Sequence, residues 1–285
     1  MVKDSFSLWL NQHISEGEAI AELAITNAQA RLRAGKKVAR KKPTSGPALP
    51  GKLADCSQGN SAGTELFLVE GESAGGSAKQ ARNRATQAVL PLRGKILNVA
   101  SASRDKIRQN QELSDLIQAL GVGLRDKYRE NDLRYDKVII MTDADVDGAH
   151  IASLLMTFFF QELPQLVYDG HLYLGIPPLY KLTQGGKTAY ARDDAHKDQL
   201  IADEFNARGK IDIGRFKGLG EMMPAQLKDT TMNPATRSLL QVALPTDDAA
   251  AKFTRDRVDQ LMGKKPEARY QFIQENAAFV TDLDL

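Results

Sequence analysis

Two acidic loops contain the residues best suited to chemistry. The first, residues 70–76, reads EGESAGG, and the second, residues 143–148, reads DADVDG. Each follows a short apolar run that is typical of a buried strand. In parallel α/β sheets, sites form outside the carboxyl ends of the strands. We therefore expect Glu70, Asp143 and Asp145 to lie within a few ångströms of one another.

Carboxylates crowded in this way favour a bound cation. Like charges raise one another's pKa, and a divalent cation relieves that cost. Oxygen ligands select hard cations, and a site with few carboxylates and much water suits Mg²⁺. We predict a Mg²⁺ site formed by Glu70, Asp143 and Asp145, with Asp147 as a further ligand. Such an ion would also hold a phosphate, so the expected chemistry is a Mg²⁺-assisted reaction at a phosphodiester.

The second loop has three other interpretations. An EF-hand calcium loop needs a preceding helix and Glu at its twelfth position, where this chain has Leu154. Haloacid-dehalogenase-type phosphatases have Thr where this chain has Asp147, and their strand is N-terminal. Asp147 would also suit the N-cap of a helix. That role explains one acid but not the alternation of three.

Glycine and cationic residues accompany the acids. The small residues of the first loop suit either a tight structural turn or a phosphate cradle. Residues 91–98 read PLRGKILN, which places Arg93, Lys95 and Asn98 just after a strand end. The Arg93 and Lys95 cations could bind a DNA backbone without reading its sequence. Surface cations that merely end a strand are the alternative.

Charge is distributed unevenly over the 285 residues, although the net charge is only +2. Residues 31–42 contain seven Lys or Arg and no acid, and residues 79–108 contain eight against one acid. Basic clusters of this kind favour a polyanionic partner. A solvated charged face is the competing interpretation.

The composition favours a cytoplasmic protein with no membrane association. The longest apolar run extends from Ile151 to Phe160. It is about half as long as a bilayer span, which needs roughly 20 residues. The chain does not begin with the basic-then-apolar pattern of a signal peptide. Cys56 is the single cysteine, so no intrachain disulfide can form.

Apolar periodicity predicts an α/β fold with a mostly parallel sheet. Apolar residues at helical spacing predict an N-terminal helix over residues 15–35, followed by a Gly-, Pro- and Lys-rich linker or ordered loop. Strands are predicted at residues 65–69, 88–92, 137–142 and 171–176. Helices are predicted at residues 73–84, 112–120 and 149–163. Beyond residue 178 the pattern changes to scattered helices and turns, which indicates a second domain or a long tail.

Four motifs in order resemble the Toprim fold of type IIA DNA topoisomerase B subunits. They are EGESAGGSAKQ at residues 70–80, PLRGKILN at 91–98, TDADVDGAHI at 142–151 and GRFKGLGEM at 214–222. LPGKLADC at residues 49–56 is similar to the family's approach to the first strand. The resemblance implies a Rossmann-like Toprim domain at 64–178 and an α+β tail domain at 179–285. It also implies the end of a transducer domain and its exit helix at 1–42, with a linker loop at 43–63.

The resemblance also implies roles for individual residues. Glu70 is expected to be a general acid/base and a metal ligand, and Asp143 and Asp145 are expected to bind one or two Mg²⁺. The residues expected against the DNA near the cleavage point are Arg93, Lys95, Asn98 and His150. Quinolone-class drugs act on this family at the cleaved DNA, in a region expected to include Glu72, Arg93 and Glu112. The family most often has Asp where this chain has Glu72.

The implied activity is half of an ATP-dependent double-strand passage reaction, with decatenation and relaxation in the full enzyme. The family places the nucleophilic tyrosine on the A subunit of an A2B2 heterotetramer, so this chain is expected to be inactive alone. No nucleotide-binding glycine-rich lid precedes the motifs, so the ATPase half is expected outside this sequence. The short separation of Tyr180 from Gly214 favours topoisomerase IV over gyrases with a tail insertion. An insertion-free gyrase and another Toprim nuclease are the alternatives.

Overall fold

A computed structural model of the chain defines the fold. It describes residues 9, 12–19, 21–22, 24–25, 49–205 and 209–277. Within the predicted N-terminal helix, residues 15–19, 21–22 and 24–25 are helical. The rest of that helix and the basic run at residues 31–42 lie outside the described residues.

The described residues form eight strands in two sheets. In chain order they are β1 (Glu65–Glu70), β2 (Gln87–Leu92), β3 (Lys137–Met141), β4 (Leu172–Ile176), β5 (Tyr180–Gln184), β6 (Lys187–Ala191), β7 (Asp212–Arg215) and β8 (Ser238–Gln241). The larger sheet has the order β2-β1-β3-β4-β8, and the smaller has the order β6-β5-β7. Strands β1 to β4 are parallel to one another, whereas β8 pairs antiparallel with β4. The predicted α/β class with a mostly parallel sheet is confirmed.

Nine helices are described beyond the N-terminal segment. They are α1 (Glu72–Ala81), α2 (Arg104–Gln109), α3 (Gln111–Leu120), α4 (Val146–Glu162), α5 (Pro164–Tyr168), α6 (Asp194–Glu204), α7 (Pro224–Leu227), α8 (Asp248–Met262) and α9 (Pro266–Asn276). The three helices and four strands predicted between residues 65 and 176 are confirmed, with ends shifted by a few residues. None of the helices in the described part is long and apolar enough to cross a membrane.

The larger sheet is buried on both faces, which explains its continuous apolar strands. Leu66 and Leu68 of β1 face a core that includes residues of α3, α4 and α5. Phe67 and Val69 face the opposite core, formed with α1, α7 and residues 219–232. Side chains alternate between the faces because the strand repeat is two residues. The sheet is therefore a rigid platform whose carboxyl edge can position side chains.

The loop before β1 is ordered over residues 49–63. Ala54 and Val89 exchange two backbone hydrogen bonds of 2.9 Å, which attaches the loop to the free edge of β2. Asp55 accepts a hydrogen bond of 2.8 Å from the Tyr135 hydroxyl and also pairs with Arg134. Of the two interpretations of this segment, the ordered loop is the one that the structure shows for these residues.

The chain beyond residue 178 builds the smaller sheet and then returns to the larger one through β8. A buried ion pair accompanies that return, because Arg237 contacts both carboxylate oxygens of Glu65 at the start of β1. Both side chains are 6% exposed. Gln87 of β2 donates to Glu65 at 2.9 Å and to the Met232 carbonyl at 2.7 Å, which completes the network.

Replacing Arg237 by Ala is expected to destabilise the chain by about 3–5 kcal/mol, because it leaves the Glu65 charge buried without its partner. Urea unfolding followed by circular dichroism measures the change. The control is Lys210→Ala, whose side chain is 90% exposed and lies 3.7 Å from Asp212. That variant should change stability by less than about 0.5 kcal/mol. Equal effects of the two substitutions would contradict a stabilising role for the buried pair.

Candidate functional site

Glu70 and Asp143 meet at the carboxyl edge of the larger sheet. Glu70 is the last residue of β1, and Asp143 follows β3 after Thr142. Because β1 and β3 are parallel, with Val69 opposite Met141, the two strand ends lie side by side. The Asp143 N–H points to the Glu70 carboxylate, with 3.4 Å between nitrogen and Oε2. Sequence reasoning anticipated this meeting from the position of each loop after a strand.

Burial and neighbouring negative charges raise the pKa of both carboxyl groups. For Glu70 the largest cause is burial, and the charges of Asp143, Asp145 and Asp147 raise its pKa further. For Asp143 the largest cause is again burial, with Asp145 and Glu221 adding to it. A raised pKa means that Glu70 keeps a proton at higher pH than an ordinary glutamate does, as a general acid requires.

The glycine-rich loop at residues 217–220 holds Asp143 in place. The Leu219 N–H donates to Asp143 Oδ1 at 2.8 Å. Gly218 passes so close that a Cβ built there would lie 2.6 Å from Asp143 Oδ2. The backbone of Gly218 is extended, so its conformation suits any residue and only the space requires glycine. The loop belongs to the GRFKGLGEM motif at residues 214–222. Nothing in that motif alone predicts its contact with Asp143.

Asp145 and Asp147 act differently from each other. Asp145 is the N-cap of α4, because its Oδ1 accepts from the Gly148 N–H at 2.7 Å. The N-cap role suggested for Asp147 is therefore wrong, since α4 begins one residue before Asp147. Asp147 instead lies in the first turn and pairs with Lys95 at 2.6 Å. Lys95, and to a lesser extent His150, lower the pKa of Asp147.

The donor set of this edge fits a hard cation. It offers carboxylate oxygens only, and the pKa values of Glu70 and Asp143 are already raised by burial and crowding. The oxygens of Glu70, Asp143 and Asp145 are less tightly grouped than expected. Among the described residues they do not form a set of three within 4.8 Å of one another. Backbone N–H groups hold Asp143 and Asp145 individually.

Arg93 contacts the other two residues of the predicted drug region, Glu72 and Glu112. Its backbone N–H donates to Glu112 Oε2 at 3.1 Å, and its Nε lies 3.5 Å from Glu72 Oε1. Glu112 also accepts from Lys52 at 2.5 Å, and Lys52 lies 3.0 Å from Asp115. Lys52 is a member of this cluster that sequence reasoning missed, although it stands in the LPGKLADC motif.

The remaining predicted DNA contacts have different surroundings. His150 is exposed in the first turns of α4, near Lys95 and Asp147. Asn98 is half-buried, and its side-chain amide donates to the Met262 carbonyl at the end of α8 at 2.9 Å. The Asn98 side chain therefore joins the 91–98 loop to the tail in this structure.

The glycines of the first loop have a packing role. A Cβ at Gly75 would lie 2.7 Å from the Pro91 Cβ, so α1 packs directly onto β2 only because this residue lacks a side chain. Gly71 has a φ of 74° between β1 and α1. L residues with a side chain rarely adopt such a conformation. The tight-turn interpretation accounts for both glycines.

Comparison with known proteins identifies the family of the chain. The Toprim domain model matches residues 65–174, and the model for the DNA gyrase B subunit carboxyl terminus matches residues 208–274. A Bartonella bacilliformis protein, named as the B subunit of DNA topoisomerase 4, is 59% identical over 286 aligned positions, covering 100% of this chain. The chain belongs to the type IIA topoisomerase B-subunit family.

Other members of the family agree in name and extent. The proteins from Caulobacter vibrioides and Haemophilus influenzae that carry the same name are 58% and 50% identical over 100% and 96% of the chain. The chain covers 41% of the Bartonella and Caulobacter proteins and 43% of the Haemophilus one. It therefore spans about two fifths of the length of the curated relatives that it matches.

Replacing Gly218 by Ala is expected to displace Asp143 and to cost about 1–3 kcal/mol of stability, because the added methyl overlaps the carboxylate. Amide hydrogen exchange at Leu219 should become faster as its bond to Asp143 lengthens. Gly220→Ala is the matched control, since a Cβ there would lie 3.3 Å from the movable Ser73 hydroxyl. Unchanged exchange at Leu219 in Gly218→Ala would show that the loop does not hold Asp143.

Proposed function

We propose that this chain forms one DNA cleavage and religation half-site of a type IIA topoisomerase. The observation that carries the proposal is the pairing of Glu70 with Asp143 at the carboxyl edge, beside the exposed cations Arg93 and Lys95. The identity of 50% or more to proteins named as the B subunit of DNA topoisomerase 4 supports the topoisomerase IV branch. In the full enzyme the activity is ATP-dependent double-strand passage, with decatenation and relaxation.

Glu70, Asp143, Asp145 and Asp147 are the proposed Mg²⁺ ligands. All four lie at the same edge and supply only carboxylate oxygens, which hard cations prefer. The ion would stabilise charge on the phosphate and on the departing oxygen. Asp147 must first release Lys95, to which it is bound at 2.6 Å. We therefore propose that Asp147 becomes a ligand only when DNA occupies Lys95.

Glu70 is the proposed general acid and base. The hydroxyl of an A-subunit tyrosine loses its proton to solvent as its oxygen forms a bond to phosphorus, and the bond from phosphorus to the 3′ oxygen breaks. Glu70 gives its proton to that oxygen, and on resealing the Glu70 carboxylate takes the proton back from the 3′ hydroxyl. The raised pKa of Glu70 supports this role because the acid form persists closer to neutral pH.

The proposed DNA contacts are Arg93, Lys95, Asn98 and His150. Arg93 and Lys95 are exposed and paired with the exposed acids Glu72 and Asp147. Exposed pairs are screened by water and contribute little to stability, so phosphates can replace the acids at little cost. Glu72, Arg93 and Glu112 are proposed to line the region where quinolone-class drugs bind the cleaved DNA. Their mutual contacts through Arg93 support this assignment.

The wider organisation is also a proposal. We place the Toprim domain at residues 64–178 and the tail domain at 179–285, preceded by a linker loop at 43–63 and a transducer end at 1–42. The A subunit supplies the nucleophilic tyrosine in an A2B2 assembly, and the protein acts in the bacterial cytoplasm. The bacterial origin of the relatives supports that location.

Cleavage of plasmid DNA by this chain together with a topoisomerase IV A subunit, Mg²⁺ and a quinolone tests the proposal. Covalent protein–DNA breaks are expected with the wild-type chain. Glu70→Gln should lower the cleavage rate by about 10²–10⁴-fold, the usual contribution of a positioned acid or base. Breaks that appear equally fast with Glu70→Gln would remove Glu70 from the mechanism, and their absence with every chain would overturn the proposed function.

The pH dependence of the two directions gives a second readout for Glu70. Cleavage needs the protonated carboxyl group, so its rate should fall as pH rises through the pKa that Glu70 has in the Mg²⁺-loaded complex. Resealing needs the carboxylate, so its rate from a pre-cleaved complex should fall as pH drops through the same value. Glu70→Gln should lose both dependences.

The salt dependence of DNA binding tests Lys95. Lys95→Ala should reduce the slope of log K against log salt by about 0.9, because one phosphate contact is lost. Lys187→Ala is the matched control, since its side chain is 47% exposed against 46% for Lys95 and pairs with Glu204. A slope that changes equally in the two variants would place Lys95 away from the DNA backbone. The measurement uses the complex with the A subunit in Mg²⁺-free buffer.

Two alternatives are distinguishable by experiment. A gyrase B fragment without the insertion would form covalent DNA breaks with a gyrase A subunit, whereas a topoisomerase IV B fragment would form them with a topoisomerase IV A subunit. Another Toprim nuclease would cut DNA without any A subunit.

A further inference from the structure

A cluster of side chains that could hold a metal ion lies at the opposite edge of the larger sheet. It consists of Glu130, Asp169 and His171, whose ligand atoms all lie within 4.8 Å of one another. His171 immediately precedes β4, whereas Asp143 follows the neighbouring parallel strand β3. The length of β3, on the order of 15 Å at the usual rise of a strand, lies between the two positions. The cluster is therefore separate from the carboxyl edge.

His171 is buried and has one nitrogen without a hydrogen-bond partner. Its side chain is 9% exposed, and its Nε2 is fully buried with no hydrogen-bond partner among the described residues. Its Nδ1 lies 2.7 Å from the Asp136 carbonyl oxygen, which can only accept, so Nδ1 carries the proton. In the neutral ring Nε2 then presents a lone pair. Buried polar atoms of this kind require an explanation such as a bound ion.

The Nε2 lone pair faces carboxylates at a distance that suits a metal ion. Glu130 Oε1 lies 3.7 Å from His171 Nε2. That separation is too long for an N–H···O hydrogen bond. Two ligand atoms that each lie about 2.0–2.1 Å from a tetrahedral Zn²⁺ are about 3.3 Å apart. A small contraction would therefore place Zn²⁺ between them, and the cation would remove the repulsion between the lone pairs.

Neighbouring groups orient the ligands as the outer shell of a metal site does. The Asp136 carbonyl fixes the His171 ring. Metal-binding histidines usually have such a partner on the nitrogen that does not bind the metal. Gln165 donates to Asp169 Oδ1 at 2.9 Å, and the Tyr128 hydroxyl donates to Oδ2 at 3.4 Å. Each donor leaves a lone pair on Asp169 available.

We propose that Glu130, Asp169 and His171 form a Zn²⁺ site that ties three segments together at the amino edge of the sheet. A nitrogen ligand with two carboxylates selects a borderline transition metal, whereas Mg²⁺ prefers oxygen ligands alone. Water completes the four ligands. The ion joins the turn at residues 130–132, the end of α5 and the start of β4. This site takes no part in the chemistry at Glu70.

Zinc binding to the untagged, chelator-treated full chain tests the site. Isothermal titration and elemental analysis should give about one Zn²⁺ per chain, and His171→Gln should abolish that binding. Glu130→Gln, at a partly exposed position that tolerates an isosteric change, should weaken it at least about tenfold. His196→Gln is the control, and it should retain wild-type affinity. Zinc binding that survives in His171→Gln and in Glu130→Gln would overturn the proposal.

Nitrogen-15 NMR of the imidazoles gives a readout that does not depend on loss of binding in a variant. The chain has four histidines, so the resonances can be assigned by substitution. Zn²⁺ should shift the His171 Nε2 resonance and leave the Nδ1 proton in place, while Mg²⁺ should leave both unchanged. If His171 Nε2 instead carries a proton at neutral pH and ignores Zn²⁺, the cluster is an ion pair with Glu130 and the proposal fails.

Discussion

The hydrogen bond from the Leu219 N–H to Asp143 joins two regions that lie far apart in the chain. Asp143 is half-buried beside Glu70, and an ionised carboxyl group there costs free energy unless donors satisfy it. The 217–220 loop supplies a donor, and Gly218 leaves the space that the carboxylate needs. The geometry of the acidic edge therefore depends on a segment that follows the smaller sheet.

A buried ion-pair network at the other end of β1 also joins the later part of the chain to the larger sheet. Arg237 and Glu65 are almost fully buried, and Gln87 joins them to the Met232 carbonyl. Strand β8 follows directly and extends the larger sheet. The chain beyond residue 178 thus packs as part of the same platform, which is consistent with its role in holding Asp143. A substitution that disrupts this packing should therefore disturb the acidic edge even when Glu70 and Asp143 are unchanged.

The two edges of the sheet differ in the ligands that they offer. The carboxyl edge has carboxylate oxygens beside weakly paired, exposed cations. That combination suits a hard cation and a phosphate chain. The amino edge has an oriented imidazole between carboxylates. Parallel strands cause this separation, because all of their carboxyl ends lie at one edge and all of their amino ends at the other.

The sequence by itself determined the parallel sheet, the meeting of Glu70 with Asp143 and the family, because apolar runs and loop motifs are local features. Tertiary structure alone decided that Asp145 rather than Asp147 caps α4, that Lys95 pairs with Asp147, and that Leu219 holds Asp143. The sequence also did not predict the pairing of β8 with β4 or the proximity of Glu130, Asp169 and His171. These contacts join residues that lie far apart in the chain, or depend on where a helix begins, and neither residue type nor spacing encodes that directly.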